Sequence, residues 1–130
     1  MKTAVTIARV LLGLMFLQAS IVYFMKWYPQ DQVPPKEVMT YMSGISVVYL
    51  MDIVKSIELI CAISFLTGRY VALSAVVLLP ITFNIVLLHT VVEPGAPSFF
   101  IAIAIVAVHF FLLYAYRKHY FALFKPQRIE

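Results

Sequence analysis

Residues Tyr70–Val92 read YVALSAVVLLPITFNIVLLHTVV, and none of them is Asp, Glu, Lys or Arg. A helix rises 1.5 Å per residue, so about 20 mainly apolar residues cross the hydrocarbon core of a bilayer. This stretch is long enough, and its uncharged composition predicts a transmembrane helix. Pro80 lies inside it and removes the hydrogen bond to the Val76 carbonyl. It is either a tolerated transmembrane proline or a kink that opens space just below Asn84.

Working outward, three more stretches qualify as spans: Val5–Met25, Ile45–Leu66 and Phe99–Tyr116. The first is followed by Lys26-Trp27-Tyr28-Pro29, an interfacial anchor, and has no small-residue cleavage site, so it reads as a span rather than a signal peptide. Thr67-Gly68-Arg69 is a tight turn with glycine placed to end a helix. Glu93-Pro94-Gly95-Ala96-Pro97 is a second turn, whose prolines block helix continuation. The longest connection, Lys26 to Gly44, is broken by Pro29, Pro34 and Pro35. Pro35 suits a helix start, so Lys36–Met42 is expected as a short interfacial helix or an extension of the second span.

Composition agrees. Of 130 residues, 63% are hydrophobic and 12% charged, against about 25% charged in a soluble domain. A small domain has too little interior for that much apolar surface, so the surplus must face lipid. The single cysteine, Cys61, excludes an intrachain disulfide and thiolate metal clusters, and it reads as a small packed hydrophobe. No histidine pair has metal-ligand spacing. The net charge of +4 does not point to nucleic acid, because the basic residues gather at segment ends.

Those basic residues set the orientation. With four spans, Lys2, Arg9, Arg69, Arg117, Lys118, Lys125 and Arg128 share one side, and only Lys26 and Lys36 fall on the other. The expectation is an all-α transmembrane fold over residues 1–130. It is an up-down-up-down four-helix bundle, a single membrane domain with both termini cytoplasmic.

The second span is the anomaly. It holds Asp52, Lys55 and Glu58, spaced so that all three share one helix face roughly 120° wide. Their insertion cost is up to roughly 8–10 kcal/mol, against a return of about 4–7 kcal/mol from the twelve Leu, Ile, Val and Phe residues of 45–66. That face must find partners or water inside the protein. With each span centred in the bilayer, the other helices bring Arg9, Gln18, Asn84 and His109 toward the same layer. Arg9 is expected to reach Glu58, from which its depth differs by only about 4–5 Å. Two readings stay open: interhelical glue, or a ligand or proton site. On the second, Lys55, Glu58, Asn84, Asp52, His109, Arg9 and Gln18 are the cofactor-binding candidates. Asn84 would donate to a carbonyl and Lys55 would be the central contact.

Several motifs resemble the DoxX family of small bacterial membrane proteins (DoxX/DoxD-like). They are Arg9-Val10-Leu11-Leu12-Gly13-Leu14-Met15-Phe16; Glu58 leading to Gly68-Arg69-Tyr70; Pro80-Ile81-Thr82-Phe83-Asn84 with His89 and Pro94-Gly95 after it; and Tyr116-Arg117-Lys118-His119-Tyr120. The chain departs from that pattern where the glycines expected after the glutamate read Cys61 and Ala62, and where the glycine and lysine expected at the end of the first span read Ala19-Ser20 and, further on, Lys26. The resemblance implies a four-helix protein of the bacterial inner membrane and a partner in redox reactions. One relative is a subunit of a thiosulfate:quinone oxidoreductase. The expected function is thus a redox-associated membrane subunit binding quinone or a similar lipophilic molecule, with a protein partner or as a homo-oligomer. The enzymatic form of this reading is a subunit of a quinone-linked oxidoreductase. The alternatives are a small permease or proton-coupled carrier, and a structural membrane adaptor.

Overall fold

The computed structural model describes residues 2–26, 33–92, 97–126 and 129. The expected anchor Trp27-Tyr28-Pro29, most of the turn at Glu93–Ala96, and Arg128 lie outside them. Among the described residues five α-helices form: α1 (Lys2–Met25), α2 (Lys36–Ser46), α3 (Leu50–Thr67), α4 (Val71–Leu87) and α5 (Pro97–Ala115). A π-helical turn, Leu88–Val92, extends α4, and two short 3-10 turns follow α5. No strand occurs among the described residues. Lys2–Met25, Val71–Val92 and Pro97–Ala115 are long and apolar enough to cross a membrane. The 18 residues of α3 rise about 27 Å, but three of them are charged.

The second segment differs from expectation. Instead of one helix from Ile45, the chain makes α2, breaks at Val47–Tyr49, and restarts at Leu50. Tyr49 sits in the left-handed region at φ 55°, where a helix cannot continue. The short helix expected from Lys36 is present and runs four residues further, to Ser46.

Four helices close a ring: α1 packs on α3, α3 on α4, α4 on α5, and α5 returns to α1. The α1–α3 interface is the most extensive. A Cβ placed on Gly13 would lie 3.1 Å from the Phe65 Cβ, so glycine is what lets these helices approach. Leu12, Phe16, Ala62, Phe65, Ala75, Leu78 and Leu112 fill the centre. Gly68 ends α3 at φ 79°, donating its N–H to the Ser64 carbonyl at 2.9 Å. Ser64 in turn donates its hydroxyl to the Arg69 carbonyl. Beyond α5, the Tyr120 hydroxyl donates to the Ala72 carbonyl at 2.9 Å and pins the C-terminal segment to the start of α4. Burial, with Tyr116 nearby, raises the pKa of that phenol, so it remains a donor at neutral pH.

Polarity is distributed inside out. Glu58, Ser20, Thr82 and His109 are almost wholly buried, while Ile60, Leu73, Phe83, Phe100 and Phe110 are more than half exposed. Water as sole solvent would oppose both features, and a bilayer accommodates both.

Candidate functional site

Lys55 and Glu58 lie one turn apart on α3, which aims both side chains to the same side. Lys55 Nζ donates to Glu58 Oε2 at 2.9 Å, and their side chains are 14% and 2% exposed. Glu58 is therefore buried and Lys55 mostly so, and the pair is formally neutral. Lys55 uses one of its three N–H donors on Glu58, leaving two for whatever lies beside it.

Two cavities lie beside it. The first, about 340 Å³, lies among α2, α3 and α4. Lys55, Glu58, Asn84 and Tyr41 line it, with Met51 and Ile81 among its apolar walls. The Asn84 amide nitrogen donates to the Tyr41 hydroxyl oxygen, which frees the Tyr41 hydrogen to donate elsewhere. The second cavity, about 300 Å³, lies toward α1 and α5 and is lined by Gln18, Phe16 and Ile105. Lys55, Glu58 and Ile85 border both.

The expected residues thus separate into groups. Lys55, Glu58 and Asn84 meet at the first cavity, and Lys55, Glu58 and Gln18 at the second. No protein-family model, curated protein or solved structure matches the chain. The reading of the site therefore rests on its own geometry.

Asp52, Arg9 and His109 line neither cavity. Asp52 points to α1, where its Oδ1 accepts the Tyr23 hydroxyl at 2.7 Å. Arg9 does not pair with Glu58, and Lys55–Glu58 is the ion pair among the described residues. The Arg9 guanidinium instead lies against Gly68, at the C-terminus of α3, where the helix dipole favours a cation. Its Nε is buried with no hydrogen-bond partner among the described residues. The expected pairing assumed straight spans centred at equal depth, whereas α1 begins at Lys2 and α3 at Leu50.

His109 is an interhelical lock. Its Nε2 lies 2.7 Å from the Ala75 carbonyl and its Nδ1 2.8 Å from Thr82 Oγ1. The carbonyl can only accept, so Nε2 carries a hydrogen, and in the neutral ring Nδ1 accepts from Thr82. Both nitrogens are spent on α4.

Sequence reasoning missed Tyr23 and Tyr41. A tyrosine near a span end reads as an interfacial anchor, and its depth alone does not reveal whether its hydroxyl turns inward. For Tyr41 a signal was available: it lies on the predicted short helix beside the second span, where an inward hydroxyl can meet Asn84.

Proposed function

We propose that this chain is a redox-associated subunit of the bacterial inner membrane. It binds a quinone or a similar neutral, lipophilic carbonyl compound in the first cavity. On this reading all four packed helices span the bilayer as an up-down-up-down bundle, with α3 the charged fourth span beside the three apolar ones. Both termini lie in the cytoplasm, as the basic residues require. The resemblance to the DoxX family supports the redox association.

The observation that carries the proposal is the buried Lys55–Glu58 pair bordering a cavity instead of packed protein. A neutral pair repels neither sign of charge strongly and attracts a neutral dipole. Lys55 N–H and the Tyr41 hydroxyl give two donors in a mainly apolar lining that also carries Glu58 and Asn84, the pattern of a site that orients a carbonyl compound. A volume of about 340 Å³ suits a ring-sized head group, and an isoprenoid tail would extend into lipid. When bound, the quinone supplies the electron-accepting chemistry, and a protein partner supplies the electrons. The residues of this chain hold the carbonyl and manage its protons.

A proton-coupled carrier is the second reading, favoured because one ion pair borders two cavities. Photolabelling with an azidoquinone in nanodiscs separates the readings. Labelled peptides from α3 and α4, competed by unmodified quinone, are expected. Saturable solute flux in liposomes without quinone labelling would favour the carrier. Neither activity, with stable copurification of a larger complex, would favour an adaptor.

A further inference from the structure

The second cavity is not needed to hold a ring-sized ligand, yet the same buried pair borders it. Its walls are apolar except for Lys55, Glu58 and Gln18, the last contributed by α1. Buried water persists where two to four polar partners are available, and these three side chains supply them. At about 30 Å³ per water, a space of about 300 Å³ holds several. Gln18 is exposed at the rim. An amide facing hydrocarbon in mid-span is unfavourable, and an amide facing water is not. On the other side of the pair, α2 covers the first cavity with Tyr41, Met42 and Ile45, so a bound ligand there closes that approach.

We propose that the second cavity is a hydrated vestibule through which Glu58 exchanges protons with the aqueous phase, with Gln18 as its positioning residue. The proposal rests on the reading that the first cavity holds the ligand. Its proton accounting is simple. When the ligand oxygen takes up a proton, an N–H bond of Lys55 breaks and an O–H bond forms. A hydronium ion in the vestibule then protonates the Glu58 carboxylate and leaves water. Glu58 passes that proton to the neutral Lys55 amine, and the pair returns to its starting charge. Each proton given to the ligand is replaced by one drawn from the α1 side.

The test is which cavity carries water to position 58. In a Cys61→Ala background, Glu58→Cys is exposed in nanodiscs to a charged methanethiosulfonate, which reacts only with hydrated thiols. Labelling is expected, to be lost when Ala19→Phe fills the second cavity, and to persist when Met51→Trp fills the first. Absence of labelling, or loss only with Met51→Trp, overturns the proposal. If Glu58→Cys does not fold, Gln18→Cys is used. It should react with the charged reagent, whereas Ile60→Cys on the outer face of α3 should react only with a membrane-soluble maleimide. An unreactive Gln18→Cys likewise overturns it. Quinone binding to the unlabelled wild-type protein is measured separately, so failure of the ligand reading is distinguishable from failure of the vestibule.

Discussion

Glu58 and His109 are both almost wholly buried polar side chains in the same ring of helices, and the fold treats them in opposite ways. His109 has protein partners on both nitrogens, with the Ala75 carbonyl on one side and the Thr82 hydroxyl on the other. It borders neither the α2-covered cavity nor the one lined by Gln18. Glu58 has Lys55, and the two border empty space in two directions. A polar group whose hydrogen-bonding capacity is fully used inside the protein holds helices together. A pair with spare donors facing a cavity is arranged to meet something else. Burial and rarity are the same for both, so only the surroundings distinguish a lock from a site.

The largest effect expected from breaking this contrast is at Lys55. Lys55→Met strands the Glu58 carboxylate in a buried position, and removing one partner of a buried pair costs about 3–5 kcal/mol. Thermal unfolding in detergent should show a clear loss of stability, and Glu58→Gln should be milder because the amide oxygen still accepts from Lys55, the more exposed of the two side chains. If Lys55→Met is as stable as the wild type, the pair is not buried as described.

Next comes the lock. His109→Leu removes both bonds to α4 and leaves the Thr82 hydroxyl without its partner. The expected cost is about 1–2 kcal/mol, near the upper end of interhelical hydrogen bonds in membranes. Quinone affinity should not change, because His109 borders neither cavity. A loss of binding with stability intact would move His109 back among the site residues.

The smallest effect on stability is expected at the mouth of the first cavity. Tyr41→Phe removes a half-exposed hydroxyl and should change stability by less than about 1 kcal/mol. Its effect should instead be read in ligand affinity, as a several-fold weakening in a quinone titration. The reverse pattern, lower stability with unchanged affinity, would make the Tyr41–Asn84 contact a structural clasp for α2.

Much of this was legible in the sequence. Uninterrupted apolar runs required the long helices, and Gly68 between Thr67 and Arg69 marked the end of α3. The i, i+3 spacing of Lys55 and Glu58 puts them on one face, and Asn84 lines a cavity with them. The break at Val47–Tyr49 was not legible, because it contains neither Gly nor Pro and relies on a tyrosine in the left-handed region. Depth alone does not fix where the Arg9 side chain goes: its guanidinium lies against Gly68 at the end of α3 and not at Glu58. His109 was grouped with the cavity residues because its depth matched. Which side of α5 it presents depends on packing against Ala75 and Thr82, and α5 is so uniformly apolar that no polar stripe marks its inner face.

The most direct test of the central claim is quinone binding to the double variant Lys55→Met/Glu58→Leu. Replacing a buried ion pair by apolar side chains of similar volume is often neutral or stabilising, so the protein should fold and keep the His109 lock. The expected result is a folded protein that no longer binds a short-chain quinone in nanodiscs and no longer takes the azidoquinone label on α3 and α4. A folded double variant that binds with wild-type affinity would show that the pair is glue and contradict the account.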